Sequence, residues 1–163
     1  MRRVGSRLFY RISRLKLTPP LELISDLKKQ FNMSVLLITH NLGIVAEMTS
    51  RVFVMYAGQL VEESPCKELF EKPLHPYTEA LLKSIPSLES KKGSKLYTIP
   101  GTVPNLLDPP SGCRFHPRCE FAKKICSEKV PSLTLQDNGR KVRCFLRGSE
   151  PEEVNTIEFA KSC

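Results

Sequence analysis

Apolar and polar positions change rhythm several times along the chain, and each change predicts an element. Leu21, Ile24, Leu27 and Phe31 recur at helical spacing, with Glu22, Asp26, Lys28 and Lys29 on other faces. A helix is therefore predicted from Pro20 to about Phe31, with Asn32 as its stop. Val35-Leu36-Leu37-Ile38 is a continuous apolar run with β-branched ends, the pattern of a strand buried on both faces of a parallel sheet. Asn41 is placed to cap a short helix carrying Leu42, Val45 and Ala46 on one side. A second buried strand is predicted over Val52–Tyr56, and Ala57-Gly58 supplies the tight turn into a hairpin partner at Gln59–Glu62. Ser64-Pro65 starts a helix with Pro at its first position and Leu69-Phe70 at its apolar end. His75-Pro76 starts another, with Tyr77, Leu81 and Ile85 on one face and a stop before Pro86.

Past this point the pattern weakens. Residues 87–95 (SLESKKGSK) are polar and charged and read as a linker. Pro100, Pro104, Pro109, Pro110, Pro117 and Pro131 then leave room for little regular structure. A small loop-rich module of this kind needs a staple in place of a large core, and four cysteines are available to supply it. Residues 147–163 are polar and read as a flexible tail. Four regions are expected: a basic start over 1–19, an α/β part over 20–86, a cysteine module over 87–146 and the tail. No internal repeat is evident.

Charge changes the picture less than its total suggests. The chain of 163 residues carries a formal net charge of +8. Six of these charges fall on Arg2, Arg3, Arg7, Arg11, Arg14 and Lys16, in a stretch with no acidic residue, which leaves an ordinary +2 for the rest. A basic face built into the fold is not evident, so no nucleic-acid partner is expected. Nucleic-acid binding through the Arg-rich start would have to be salt-sensitive and vanish on deleting residues 1–16. No run of eighteen apolar residues occurs, and Arg and Lys interrupt residues 8–17, so neither a membrane span nor a secretory signal is predicted. A mitochondrial presequence is the competing reading of the Arg-rich start. Without export the six cysteines meet a reducing compartment, where ligation is favoured over disulfides.

Two sets of residues carry chemistry. His40 follows the predicted strand 35–38, which would put it at the carboxyl edge of the sheet, where α/β folds bind ligands. An imidazole there either hydrogen-bonds a phosphate oxygen or simply caps the next helix, and position alone does not choose. Cys113, Cys119, Cys126 and Cys144 give C-x5-C-x6-C-x17-C, four thiols within 32 residues. Such a set can wrap a tetrahedral Zn²⁺ or a cubane iron–sulfur cluster; the spacing fits neither common ferredoxin pattern, and two disulfides are the alternative. Cys66 and Cys163 stand apart from the set.

The words around these residues are more specific. LLITHNLGIVAEMTSRVFVMYAGQLVEE resembles the switch-histidine region of ABC ATPases, most closely the oligopeptide/dipeptide importer group. LFEKPLHPYTEALLKSIP (69–86) resembles a signature of their ATP-binding subunits, in which His75, Tyr77 and Thr78 read as structural. PSGCRFHPRCEFAKKICSEKVPSL…VRCFL is similar to the C-terminal extension of the same subunits. The resemblance implies that His40 contacts the γ-phosphate of ATP, as both its catalytic and its cofactor-binding residue. It also implies that Cys113, Cys119, Cys126 and Cys144 hold a 4Fe–4S cluster, with zinc as the alternative. Asn41 stands where the family usually has Asp, and Ser64 where it usually has Gly; both still serve as caps. Arg114, Arg118 and Arg143 either offset the charge of a thiolate-bound cluster or are surface charges, and His116 lies between two of the cysteines.

The expected fold is α/β: part of an ABC-ATPase parallel sheet with helices, followed by a small loop-rich cysteine-ligated module. The resemblance implies a peptide importer, with a second ATP-binding subunit and transmembrane permease subunits as partners, at the cytoplasmic face of the membrane. It begins near Leu21 and ends near Leu146. No G-x-x-x-x-G-K-[ST] occurs, since no two glycines are five positions apart; a Gly-Gly pair and an apolar strand ending in Asp-Glu are also missing. A truncated or frameshifted gene is the economical explanation, with no ATP hydrolysis by this polypeptide alone and poor solubility from exposed sheet edges. A free-standing iron–sulfur or zinc module is the alternative function.

Overall fold

The computed structural model describes residues 19–85 and 97–151. The basic start, the polar linker and most of the tail lie outside the described residues.

The chain opens with helix α1 (Pro19–Phe31), whose Leu21, Ile24 and Leu27 stripe is half-buried. Asn32 ends it in the left-handed region at φ 47°, a conformation that asparagine tolerates better than most residues. The following residues do not form the expected strand. Residues 33–39 form no strand with any of the described residues, and Leu36 and Ile38 are 83% and 90% exposed. A parallel strand needs neighbours on both edges and helices on both faces, and the described residues supply neither to this segment.

Helix α2 (Leu42–Met48) starts where Asn41 caps it, its side-chain oxygen accepting the amides of Gly43 and Ile44. Strand β1 (Arg51–Tyr56) and strand β2 (Gln59–Pro65) form the expected hairpin. Ala57 and Gly58 both take positive φ at the turn, as the right-handed twist of a two-residue hairpin demands. The register slips between Val54 and Met55, which leaves Val61 as the extra residue of a bulge. β1 is a half-buried edge strand rather than a fully buried one: Val54 and Tyr56 face the core, while Phe53 and Met55 face out.

Pro65 is the cap residue of α3 (Cys66–Glu71) rather than its first helical residue, so the helix starts one position later than expected. Helix α4 (Pro76–Lys83) begins at His75-Pro76 as the sequence predicts. The second half of the chain contributes a short helix α5 (Lys124–Glu128) and two short strands, β3 (Thr134–Leu135) and β4 (Lys141–Val142). Its strands join the hairpin in one antiparallel sheet of order β1-β2-β4-β3. The parallel sheet expected from the apolar runs is therefore absent among the described residues. The pairing that forms is between a hairpin and the cysteine module, both antiparallel to their neighbours.

The core lies between α2, α3, α4 and the inner face of β1–β2, and contains Val45, Val54, Val61, Leu69, Phe70 and Leu82. Phe115, from the cysteine module, is part of the same core. Its ring meets Tyr56 at 5.1 Å and Tyr77 at 5.4 Å, and the two tyrosine rings lie 4.6 Å apart. Such aromatic contacts favour a fixed orientation beyond the area they bury, and they weld the proline-rich segment to the α/β part. No helix among the described residues is long and apolar enough to cross a membrane.

Candidate functional site

The four cysteines, spread over 32 residues of sequence, line one cavity together with His75 and His116. Phe115, Phe121 and Leu146 make its walls apolar. Local backbone geometry places each sulfur. Gly112 sits at φ +65°, and a Cβ there would collide with the carbonyl oxygen of Cys126. The absence of a side chain lets the Cys113 amide donate to that carbonyl at 2.8 Å, which ties the first cysteine to the third. Cys119 ends the 3₁₀ turn His116–Arg118, and Cys126 lies within α5. Cys144 is fixed by Ser149, whose hydroxyl accepts the Cys144 amide at 2.9 Å and donates to the Val142 carbonyl at 3.1 Å.

Every one of these sulfurs faces a backbone N–H. Burial pushes the Cys113, Cys119 and Cys144 thiols up, Cys144 to about 11, while the amides of Phe115, Phe121 and Leu146 oppose that rise. In each case the donor lies two residues after the cysteine. The Lys123 amide donates to Cys126 Sγ at 3.4 Å. Amide donors of this kind favour the thiolate, the form that ligates metals. None of the five described cysteines is in a disulfide. Among the described residues no group of three or more His, Cys, Asp or Glu side chains is arranged to hold a single metal ion.

The arginines beside the cysteines do structural work. Arg114 donates to the Ala57 carbonyl at the hairpin turn. Arg118 donates to the carbonyls of Ile99 and Pro100 at 3.0 and 2.7 Å. Arg143 donates to the carbonyls of Leu60 and Pro131 at 3.1 and 2.9 Å. Each guanidinium ties its own segment to a backbone carbonyl of another.

The two imidazoles at the cavity differ. His75 Nδ1 accepts the Tyr77 amide at 3.0 Å, capping α4, so the proton of the neutral ring resides on Nε2. His75 is 1% exposed, and burial lowers its pKa to about 4 against a smaller opposing effect of the Arg143 carbonyl. His116 Nδ1 lies 2.9 Å from the Cys113 carbonyl, which can only accept, so Nδ1 donates and the neutral ring carries its lone pair on Nε2. Sequence reasoning classed His75 as a structural residue and did not connect it with the cysteines. Its cap role was visible in the His-Pro start, but its place in the cavity was not.

His40 lies elsewhere. It is exposed, at a bend between the unpaired segment 33–39 and the Asn41 cap. Because residues 35–38 pair with no strand among the described residues, no sheet edge is formed beside it there.

The described residues form a small α/β unit around a β-hairpin, joined through Phe115 to a thiol-lined C-terminal module. Residues 61–126 match the family model described as "Oligopeptide/dipeptide transporter, C-terminal region", and the chain carries the C-terminal part of an oligopeptide/dipeptide ABC transporter ATP-binding subunit. It is 51% identical over 133 residues to the oligopeptide transport ATP-binding protein AppD of Bacillus subtilis, covering 82% of this chain and 40% of AppD. A Brucella ovis protein named for peptide import and ATP binding is 48% identical over 130 residues, 77% of this chain and 38% of that protein. A Sinorhizobium fredii protein, y4tR, named for a peptide ABC transporter, is 46% identical over 125 residues, with 77% and 37% covered. The chain thus spans about 40% of the length of the relatives it matches.

Proposed function

We propose that this chain forms the C-terminal part of the ATP-binding subunit of a peptide importer, and that its cysteine module holds a 4Fe–4S cluster. The observation that carries the reading is the gathering of Cys113, Cys119, Cys126 and Cys144 around one cavity, each sulfur met by a backbone amide. This donor set suits soft, thiolate-bound metals. A tetrahedral zinc ion is the alternative for the same four thiols; the similarity to the C-terminal extension of peptide-importer ATP-binding subunits favours the iron–sulfur cluster. Four iron–thiolate bonds would cross-link residues 113–144, a segment with little regular structure of its own. The chain's own residues orient the thiols, exclude water with Phe115 and Phe121, and anchor the module to the hairpin.

In the intact subunit, His40 would contact the γ-phosphate of ATP, and the subunit would pair with a second ATP-binding subunit and with membrane-spanning permeases at the cytoplasmic face. The support for this is the similarity to peptide-import ATP-binding proteins over most of the chain. Two measurements test the reading. Full-length chain purified without oxygen should contain about four irons and four sulfides and absorb as a brown chromophore; zinc or an empty site would defeat the cluster assignment. A strain lacking the gene should lose uptake of a labelled oligopeptide, and unaltered uptake would defeat the importer assignment.

A further inference from the structure

We infer that His75 is the hydrogen-bond donor to the sulfur framework of the bound cluster, and that it raises the cluster's reduction potential. The inference rests on the cluster reading above. It is carried by three observations. His75 lines the cavity that the four cysteines line. Its Nδ1 is committed as acceptor to the Tyr77 amide, so Nε2 on the opposite side of the ring bears the proton. That Nε2 is buried and makes no hydrogen bond of normal geometry, although the Arg143 carbonyl lies near enough to favour the protonated ring.

A buried N–H whose nearest acceptor is a poorly aligned carbonyl is under-satisfied; leaving such a group wholly unpaired costs on the order of 1–3 kcal/mol, and such groups are rare in folded proteins. An acceptor inside the cavity removes that cost. The remaining candidates do not match the role. His116 donates from Nδ1 to the Cys113 carbonyl and offers only a lone pair at Nε2. The other side chains around the cavity, apart from the cysteines, are hydrocarbon or aromatic. A neutral N–H is the kind of donor that strengthens as negative charge accumulates on sulfur, so it stabilises the reduced cluster more than the oxidised one. His75 also caps the helix of the family's HPYT segment, so the same ring ties α4 to the electronic state of the module.

The test uses the full chain, reconstituted with iron and sulfide without oxygen, and two substitutions. His75→Asn keeps an oxygen where Nδ1 stands and preserves the helix cap, but removes the distant N–H. His75→Gln puts an amide N–H near the position of Nε2. The expected result is unchanged iron and sulfide content in both, with a lower midpoint potential in His75→Asn. At the wild-type midpoint, its reduced-to-oxidised ratio should fall about tenfold, and His75→Gln should recover part of the loss. Wild-type iron content with an unshifted potential in His75→Asn overturns the inference and leaves the cluster reading standing. Wild-type protein without iron and sulfide overturns both. Should His75→Asn bind less iron, pulsed EPR on ¹⁵N-histidine-labelled His116→Asn protein decides: nitrogen coupling to the reduced cluster supports the donor, and its absence overturns it.

Discussion

Arg140 donates to the carboxylate of Glu62 at 3.1 Å in a pair that is almost wholly buried. The two residues come from opposite halves of the chain, β2 and the turn before β4. Glu62 also accepts the amides of Leu74 and His75 at 2.9 and 2.8 Å, and Arg140 donates to the Lys72 carbonyl at 2.6 Å. The pair therefore sets the approach to α4 and the seat of the cysteine module at once. Its value is architectural: it positions His75 beside the cavity while joining the two halves of the sheet.

Removing one member of such a pair strands the other in the core, which costs about 3–5 kcal/mol. Glu62→Ala should destabilise the chain by that order and weaken cluster retention, read by denaturant unfolding and by iron content. A double substitution of Glu62 and Arg140 by apolar residues should recover much of the stability, because no charge is then left alone.

Gly112 tests the local frame of the cavity. Gly112→Ala drives a methyl group into the Cys126 carbonyl at a positive φ, and overpacking of this kind costs about 1–3 kcal/mol. The expected outcome is a lower melting temperature and substoichiometric iron. Gly139→Ala, where no atom lies near the added Cβ, serves as the control for backbone strain alone.

Glu63 predicts the acid limb of stability. Burial would raise its carboxyl, but hydrogen bonds from Arg51 at 2.7 Å and Lys141 at 3.1 Å outweigh burial and hold it below the ordinary value of 4.5. The folded state therefore binds its proton less readily than the unfolded chain. The stabilisation is complete above pH 4.5 and is lost as pH falls through the depressed value. Unfolding followed from pH 6 to pH 3 should show Glu63→Gln with a shallower decline than the wild type; parallel curves would refute the assignment.

The cysteines separate ligands from bystanders. Cys119→Ser should lose most of the cluster absorbance. Cys66→Ser should keep it, because Cys66 heads α3 and its thiol donates to the Val45 carbonyl at 3.5 Å, away from the cavity set. Equal colour in the two variants would contradict the ligand assignment.

For ATP the expected outcome is negative. The purified chain contains no phosphate loop, so it should not hydrolyse ATP in a phosphate-release assay. Turnover that disappears in His40→Ala would overturn this prediction.

Much of the local structure was legible from the residues. The helix at 19–31, the Asn41 cap, the Ala57-Gly58 turn and the His75-Pro76 start each depend on one to four neighbouring residues. Short-range sterics and capping decide such features wherever the segment sits. The strand expected at 35–38 failed for the opposite reason: an apolar run becomes a strand only when partners cover it, and Leu36 and Ile38 have none among the described residues. The alternation of β1 was misread as full burial because Phe53 and Met55 are as apolar as Val54 and Tyr56.

The sequence by itself determined the caps, the turns and a set of four thiols close enough along the chain to act together, because these follow from bonded neighbours and residue chemistry. Only the tertiary structure decided that the hairpin pairs with β4, that Glu62 finds Arg140, and that His75 borders the cysteine cavity. Those outcomes depend on which distant segments bury each other's surfaces and satisfy each other's polar groups, and no local pattern encodes that choice.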